Sequence, residues 1–325
     1  MTGLKGTVLI TGGAGFLGRG ILRRARRDGW DARFVVYSRD EQKHVAARAK
    51  YPEARYVVGD ILDTAKLHLL ASVCDYVIHT AALKYIPECE AQPSEAVRVN
   101  IDGTRSVMDA ARAAGVKRTV IISTDKAPAP LNLYGMTKAV CERLVFETAD
   151  FPAPGAGGST FSAVRYGNVI GSTGSIWPIF KKWLDAGTPL RITEPHMTRF
   201  FMGVDDAVEL IVASADGPPG VVTIPQPQSV VLGDLAEFLT GAYGAEAWEV
   251  VGRRPGEKDH EDMVVRPEMR RMVCALDTYW HLHGPTKTPE HTRPDDGFVP
   301  GMRSDSASKM PPEMFLGIAQ GSEDV

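Results

Sequence analysis

TVLITGGAGFLG, running from Thr7 to Gly18, decides how the rest of the chain is read. A β-branched run, Thr7–Ile10, leads into Gly12, Gly15 and Gly18 at a spacing of three, and a helical pattern follows at once near Leu17–Arg27. A glycine trio alone is a weak signal, but strand, glycine turn and helix in that order is the context that gives it meaning. Glycine lets the backbone turn tightly and approach a pyrophosphate, whose charge then meets the N-terminus of the next helix. The context favours dinucleotide binding over an ordinary βα turn.

Outward from this turn, short apolar runs alternate with helical patterns. Strands are expected at Thr7–Ile10, Arg33–Tyr37, Tyr56–Val58, Tyr76–His79, Thr119–Ser123 and Phe161–Arg165. Helices are expected near Leu17–Arg27, Glu41–Lys50, Thr64–Ala71, Ser94–Ala114 and Tyr134–Thr148. Buried strands alternating with helices predict an α/β fold with a doubly wound parallel sheet. FPAPGAGGS, from Phe151 to Ser159, reads as a surface loop, and beyond Gly167 the alternation loosens. The expected division is a dinucleotide-binding domain over 1–166, completed by about 204–230, and a smaller α/β substrate-binding domain from 167–203 and 231–325. The tail from His281 has weak periodicity, and Gly321–Val325 is expected to fray.

Length and composition agree. The chain has 325 residues, about two domains' worth, with 44% hydrophobic and 24% charged residues, enough to bury a sizeable core. Its net charge of −3 provides no general attraction for nucleic acid or an anionic membrane. No run approaches the roughly 18 apolar residues of a membrane helix. The N-terminus enters a strand directly and lacks a signal-peptide pattern, so a cytoplasmic location is expected. Cys74, Cys89, Cys141 and Cys274 lie far apart and form no C-x-x-C pair, so no metal site or disulfide framework is indicated.

An NAD site usually carries an acid at the end of the second strand to hold the ribose 2′-hydroxyl. Here that strand ends in Tyr37–Ser38–Arg39–Asp40, with Lys43 one turn further. Arg39 and Lys43 suit a 2′-phosphate, so NADP is preferred, while Asp40 keeps NAD compatible. Asp60, in the turn after the third strand, is placed to meet the adenine. Ala81 and Ala82 follow the fourth strand, where small residues let a cofactor lie against the chain. The RRARR run, Arg23 to Arg27, spans every direction of a helix and reads as a solvated face.

Tyr134 and Lys138 form Y-x-x-x-K at the start of a helix and share one face. A nearby ammonium favours the phenolate and lowers the phenol from its usual value of about 10. Such a tyrosine can take a proton from a sugar hydroxyl while hydride leaves the same carbon. Most isolated Y-x-x-x-K matches are surface pairs; Thr124 at the strand end and the glycine turn make this one specific.

With these residues in view, the chain resembles the extended short-chain dehydrogenase/reductase superfamily. More narrowly, it resembles the UDP-N-acetylglucosamine 4,6-dehydratases that invert C5. The matching pieces are TGGAGFLG, YSRDEQK (Tyr37 to Lys43), HTAALKYIPECE (His79 to Glu90), STDKA with NLYGMTK (Ser123 to Lys138), RYGNVIGSTGS (Arg165 to Ser175), PHMTRFFM (Pro195 to Met202) and RPGEKDHE (Arg254 to Glu261). RSDSAS, beginning at Arg303, is a fainter echo of the family's end. The resemblance implies a Rossmann-type fold and a tightly bound NADP regenerated each turnover. It implies cofactor contacts from Gly12, Gly15, Phe16, Leu17, Gly18, Ser38, Arg39, Lys43, Asp60, Ile61, Ala81, Ala82, Lys84, Tyr134, Lys138 and Val169. It implies substrate contacts from Lys84, Asn168, Arg199, Arg254 and Glu257, with Glu257 orienting one of the arginines. A homo-oligomer, dimer or higher, that pairs through the helices near Ser94–Ala114 and Tyr134–Thr148 is implied as well.

Thr124–Asp125–Lys126 separates the chemistries. Related sugar-nucleotide dehydratases read Thr-Asp-Glu here, and simple 4-epimerases carry small, non-ionisable residues. Alone, Asp125 would be a turn-capping acid and Lys126 a solvated lysine. Adjacent, and just before the Tyr-Lys helix, they read as an acid and a base. The resemblance implies that Tyr134 deprotonates the C4 hydroxyl as NADP⁺ takes the C4 hydride. Lys126 then removes the C5 proton, a protonated Asp125 gives its proton to the departing C6 hydroxyl, and hydride returns to C6. Lys126 would need a depressed pKa, expected from burial beside other cations. Tyr134 stands where retaining, membrane-anchored relatives usually carry Met, which favours the inverting branch. His196 stands where relatives more often carry an acid, and Met136 replaces a common Ala. Rival readings are a UDP-hexose 4-epimerase, a 5,6-dehydratase variant and, remotely, a non-catalytic NADP-binding sensor.

Overall fold

The computed structural model describes residues 3–150, 158–244, 247–275, 278–287 and 302–325. Residues 151–157 of the expected surface loop lie outside the described residues. The opening strand β1 (Gly6–Thr11) is buried on both faces from Val8 onward, as a central parallel strand must be. It is followed by α1 (Phe16–Arg27), β2 (Ala32–Ser38), α2 (Glu41–Lys50), β3 (Arg55–Val58), α3 (Thr64–Ala71) and β4 (Tyr76–His79). After two short helices, α4 (Ile86–Ala91) and α5 (Pro93–Val97), a π-type turn at Arg98–Asp102 joins α5 to α6 (Gly103–Ala114). Then come β5 (Arg118–Ile122), α7 (Leu133–Asp150) and β6 (Thr160–Val164).

These strands, with β10 (Val221–Pro225), β13 (Met272–Ala275) and β14 (Tyr279–His283), form a nine-stranded sheet of order β13-β14-β10-β6-β5-β4-β1-β2-β3. Every pairing from β10 to β3 is parallel, and the β13–β14 hairpin closes one edge antiparallel. The fold is the doubly wound α/β architecture that the alternation predicts. The expected division placed the 272–283 hairpin in the smaller domain; its ladder to β10 puts it in the large sheet. Strand pairing is a long-range choice that the local pattern of a short antiparallel edge does not reveal.

Helices cover both faces. Buried residues of α3, α6 and α7, among them Leu67, Val107 and Val145, form one core. Ile21 and Leu22 of α1 pack with Val208 and Ile211 of α9 (Val204–Asp216) on the other. Arg23 and Arg27, expected to be simply solvated, both pair with Asp205 of α9, at 3.1 and 2.7 Å. A periodicity reading sees the arginines but not the acid on a distant helix.

The remaining elements build a second layer beside the sheet's carboxyl edge. The strands β7 (Asn168–Val169), β9 (Thr198–Met202), β11 (Gln228–Val231) and β15 (Ser308–Lys309) pair in the order β15-β11-β9-β7. A two-stranded piece joins β8 (Leu190–Ile192) and β12 (Trp248–Val250). Between them, Trp177 and Phe180 of α8 (Ile176–Asp185), Leu235 of α10 (Leu232–Tyr243) and Phe315 of α12 (Pro312–Gly321) form a third core. The end of the chain, expected to fray, is docked: Val325 is buried and its carbonyl accepts from Arg19 Nε at 3.0 Å. Among the described residues no helix is long and apolar enough to cross a membrane.

Candidate active site

The strand order reverses between β1 and β4, where connections leave the sheet in opposite directions and open a crevice at the carboxyl ends. Gly12 adopts φ +68°, and a Cβ there would lie 2.8 Å from the Ala81 nitrogen, so the turn and the close approach both demand glycine. A Cβ at Gly18 would run into the Gly13 backbone, which sets how closely α1 packs on β1. Gly15 caps α1 without a side-chain hydrogen bond, and no acid occupies the first turn. The helix therefore presents its free N–H groups to the crevice, a cradle for an anion.

This crevice, about 190 Å³, is lined by Gly12 and Gly15 on the turn and by Ser38, Arg39 and Lys43 beyond β2. Asp40 beside Arg39, Gly59, Asp60 and Ile61 beyond β3, Ala81 and Ala82 beyond β4, and Val99 complete it. Phe16 is buried and Leu17 half-buried in the first turn of α1. Asp40, read as compatible with NAD, is the N-cap of α2: Oδ1 accepts from the Lys43 amide at 3.0 Å, and Oδ2 pairs with Lys43 Nζ at 3.0 Å. Arg39 lies exposed, 3.6 Å from Asp60. Lys84 is exposed as a residue, but burial of its ammonium and, second, the Lys43 charge pull its pKa down.

The candidate catalytic residues converge from the adjacent strand. Beyond β5 the chain keeps register with β6, the Asp125 amide donating to the Tyr166 carbonyl at 3.0 Å. Asp125 is fully buried there. Lys126 Nζ donates to Asp125 Oδ1 at 2.9 Å, and the Thr124 hydroxyl donates to the same oxygen at 3.0 Å. Helix α7 starts beside them because Asn132 Oδ1 and Glu90 Oε1 accept its free amides from Gly135 and Leu133, at 2.9 and 2.6 Å. That start points the Tyr134 phenol at Thr124 and places Lys138 one turn on, where Nζ donates to the Ile122 carbonyl at 2.8 Å.

Electrostatics correct two expectations. Burial pushes Tyr134 up to about 12, and the charge that opposes this is Lys126, with Asp125 acting the other way. Burial also lowers Lys138. The phenol is thus not depressed in the protein alone. Lys126 was expected beside cations; instead it sits between Asp125 and Glu261, whose Oε1 is 3.4 Å from Nζ. Burial alone would lower Lys126, but the two carboxylates outweigh it and hold the ammonium above its ordinary value, with Arg199 a smaller opposing charge. Burial raises Asp125, helped by Glu261 and opposed by Lys126. The two carboxylates thus hold the ammonium of Lys126, which donates to Asp125 in this structure.

The substrate-side candidates are only partly gathered. Val169 is buried in β7, and Asn168 beside it donates to the Phe200 carbonyl at 3.2 Å. Arg199, buried in β9, donates to Glu257 Oε1 at 2.7 Å, so Arg199 is the arginine that Glu257 orients. Arg254 is exposed, joined to Glu257 through main-chain contacts.

Two residues escaped the sequence reading. Asn100 is fully buried in the π-type turn; its amide accepts from and donates to Leu83 main chain, both at 2.8 Å, and donates to Thr137 at 3.0 Å. It ties the loop after β4 to α7, and its only signal was a polar residue inside a helical pattern. Cys141 donates to the Asn100 carbonyl at 3.1 Å, consistent with its expected buried, passive character. Glu261 lay within a quoted motif, yet nothing local in RPGEKDHE marks it as the residue that reaches Lys126.

The model of the family of polysaccharide biosynthesis proteins matches residues 8–281. The chain is 38% identical over 264 residues to the UDP-N-acetylglucosamine 4,6-dehydratase (inverting) of Campylobacter jejuni subsp. jejuni serotype O:2, covering 80% of this chain and 78% of that one. It is 34% identical over 280 residues to a UDP-glucose 4-epimerase of Rickettsia conorii, covering 84% and 82%. The X-ray structure of Pen from Bacillus thuringiensis matches with a TM-score of 0.87 at 30% identity, over 100% of both chains.

Proposed function

The chain belongs to the polysaccharide biosynthesis protein family, within the extended short-chain dehydrogenase/reductase superfamily, and from that premise we propose that it is a UDP-N-acetylglucosamine 4,6-dehydratase that inverts C5. The observation that carries this reading is the buried Asp125–Lys126 pair, 2.9 Å apart, beside the Tyr134 phenol. A 4-epimerase acts at C4 alone and would leave this pair unused, although burying each ion costs several kcal/mol.

The crevice fits a nicotinamide dinucleotide: free helix N–H groups for the pyrophosphate, a bare backbone at Gly12 and small methyl side chains at Ala81 and Ala82 for close approach. Arg39 and Lys43 line the second-strand end together with Asp40, which caps α2 and pairs with Lys43; the two cations there support NADP over NAD. When bound, the dinucleotide accepts hydride from C4 and returns it at C6. A positive charge of the bound oxidised ring beside Tyr134 would favour the phenolate against its burial.

In this scheme Tyr134 takes the C4 hydroxyl proton, with Thr124 holding the phenol oxygen. The resulting ketone acidifies the C5 proton. Asp125 has received the proton of Lys126, so the neutral amine takes the C5 proton while Asp125 gives its own to the departing C6 hydroxyl, which leaves as water. With hydride returned at C6, C5 takes a solvent-derived proton from the opposite face, and Tyr134 releases to solvent the proton it took from the C4 hydroxyl. Product and substrate differ by one water, and no external oxidant or reductant is consumed, so the enzyme is an NADP-dependent lyase. Arg199, held by Glu257, and Asn168 face the nucleotide portion, with Lys84 reaching between cofactor and sugar and Arg254 at the rim.

The same reading makes the enzyme a cytoplasmic homo-oligomer. Exposed Val97 on α5, with Met136 and Val140 on α7, supports pairing through those helices. The deciding experiment incubates the protein with UDP-N-acetylglucosamine and catalytic NADP⁺ in D₂O and follows proton NMR. A new C6 methyl signal with deuterium at C5, and couplings of the inverted sugar, is the expected result. A change at C4 alone would instead identify an epimerase.

A further inference from the structure

We infer that Glu261 is a positioning residue for the elimination step: its carboxylate keeps the single proton shared by Asp125 and Lys126 inside the pair, and so sets the pH range in which acid and base hold opposite roles. The inference rests on the reading of Asp125 and Lys126 given above.

Glu261 is 4% exposed, with Oε1 3.4 Å from Lys126 Nζ. Among the described residues its other oxygen, Oε2, is buried and has no hydrogen-bond partner, and Asp125 Oδ2 is in the same condition. Unpartnered buried carboxylate oxygens are costly, and two in one cluster are hard to explain as packing. Nor is the placement of Glu261 loose. Its amide donates to Ser304 Oγ at 2.8 Å, and its carbonyl accepts from the Ser304 amide at 2.9 Å. Ser304 is itself fully buried and bonded to Thr198 Oγ1 at 2.6 Å. A segment more than forty residues downstream therefore fixes the main chain from which this carboxylate reaches the lysine.

The consequence follows from counting protons. The resting ion pair has an ionised Asp125 and a charged Lys126; the working form has a protonated Asp125 and a neutral Lys126. Both forms contain the same single proton, placed at opposite ends of a 2.9 Å hydrogen bond. Gaining a second proton removes the base; losing the shared one removes the acid. The charges that bear on these two limits come from every side: Glu261 from its loop, Arg199 from β9, and Tyr134 from α7, with Cys89 and Tyr166 behind the phenol. Glu261 contributes the negative charge beyond the pair, and it favours proton retention at both members. As the two sites are coupled, both limits belong to the pair and move together.

The test uses the full-length protein and its Glu261→Gln and Glu261→Asp variants. Elimination is read as C6-methyl formation and C5 deuteration from pH 5 to 10, and C4 oxidation is read separately as single-turnover absorbance of the reduced nicotinamide. Glu261→Gln should shift both limbs of the elimination profile acid-ward by roughly one to three pH units, the range for a unit charge at this distance in media between water and a protein surface. C4 oxidation should persist. Glu261→Asp, which keeps the charge, should hold both limbs near the wild-type positions at a reduced rate. A uniform rate loss with unmoved limbs in Glu261→Gln, or equal loss of C4 oxidation, would overturn the inference in favour of a structural role. A wild-type enzyme that neither makes the C6 methyl nor exchanges C5 would instead refute the dehydratase reading on which it rests.

Discussion

Arg165→Met tests how the site is held together. Arg165 is fully buried and lies between two carboxylates. Its Nε and one terminal nitrogen donate to Glu142 of α7 at 2.9 and 2.5 Å. The terminal nitrogens donate to Glu268 at 2.9 and 3.0 Å and to the Met263 carbonyl at 2.9 Å. Glu142 also accepts from Ser123, the residue before Thr124, at 2.6 Å. One guanidinium thus fastens helix α7, the end of β5 and the segment carrying Glu261. Methionine keeps much of the volume but strands two buried carboxylates, a loss of about 3–5 kcal/mol. In a chain of this size, at about 2 °C per kcal/mol, the melting temperature should fall by about 6–10 °C.

The pH dependence gives the sharper reading. Burial alone would raise Glu268, but the Arg165 charge pulls its carboxyl below the usual range. A carboxyl depressed in the folded state stabilises above its unfolded pKa, about 4.3, and that contribution is lost as pH falls through the folded value. In the variant, burial acts on Glu268 against only the Val265 amide and the smaller Arg271 charge, so the carboxyl rises and the penalty is greatest at neutral pH. The gap in melting temperature between wild type and variant should therefore narrow as the buffer is taken from pH 7.5 to 4.5. Scanning fluorimetry at both pH values measures it. A variant within 2 °C of wild type at pH 7.5, or a gap that widens on acidification, would refute this account of the network.

Lys126→Met should reduce C6-methyl formation by about 10²–10⁴-fold, the range for loss of a proton-transferring group, while single-turnover C4 oxidation remains measurable with its optimum moved to higher pH. That shift is expected because Lys126 is the charge that opposes the burial of Tyr134. Arg39→Ala should weaken NADP⁺ binding by about tenfold and leave NAD⁺ binding nearly unchanged by calorimetry; an equal loss for both would remove Arg39 from the 2′-phosphate site. Gly12→Val should abolish dinucleotide binding in the same titration, because its side chain would collide with the loop at Ala81 and φ +68° is strained for valine.

Much of this molecule is written locally. Strand cores such as Thr7–Ile10 and Tyr76–His79 and helices such as Glu41–Lys50 follow from side-chain period and capping, interactions confined to neighbouring residues. The glycine turn is legible for the same reason, since the backbone conformation of Gly12 and the packing of Gly18 are demands on single positions. Thr124, Asp125, Lys126, Tyr134 and Lys138 lie within one strand-to-helix connection, so their adjacency is visible in the sequence too.

What surrounds them is not. The 272–283 hairpin joins the large sheet through a ladder to β10, and Val325 docks on Arg19, from 306 residues away. Lys126 was expected beside other cations, as the role of a base requires, yet it lies between Asp125 and Glu261, the latter brought in by a segment that Ser304 clamps. Proton affinities depend on which charges and how much solvent lie within a few ångströms, and those distances exist only once distant segments have packed. The residue types and reaction class are therefore local information, whereas the direction in which each catalytic group holds its proton is a property of the tertiary structure.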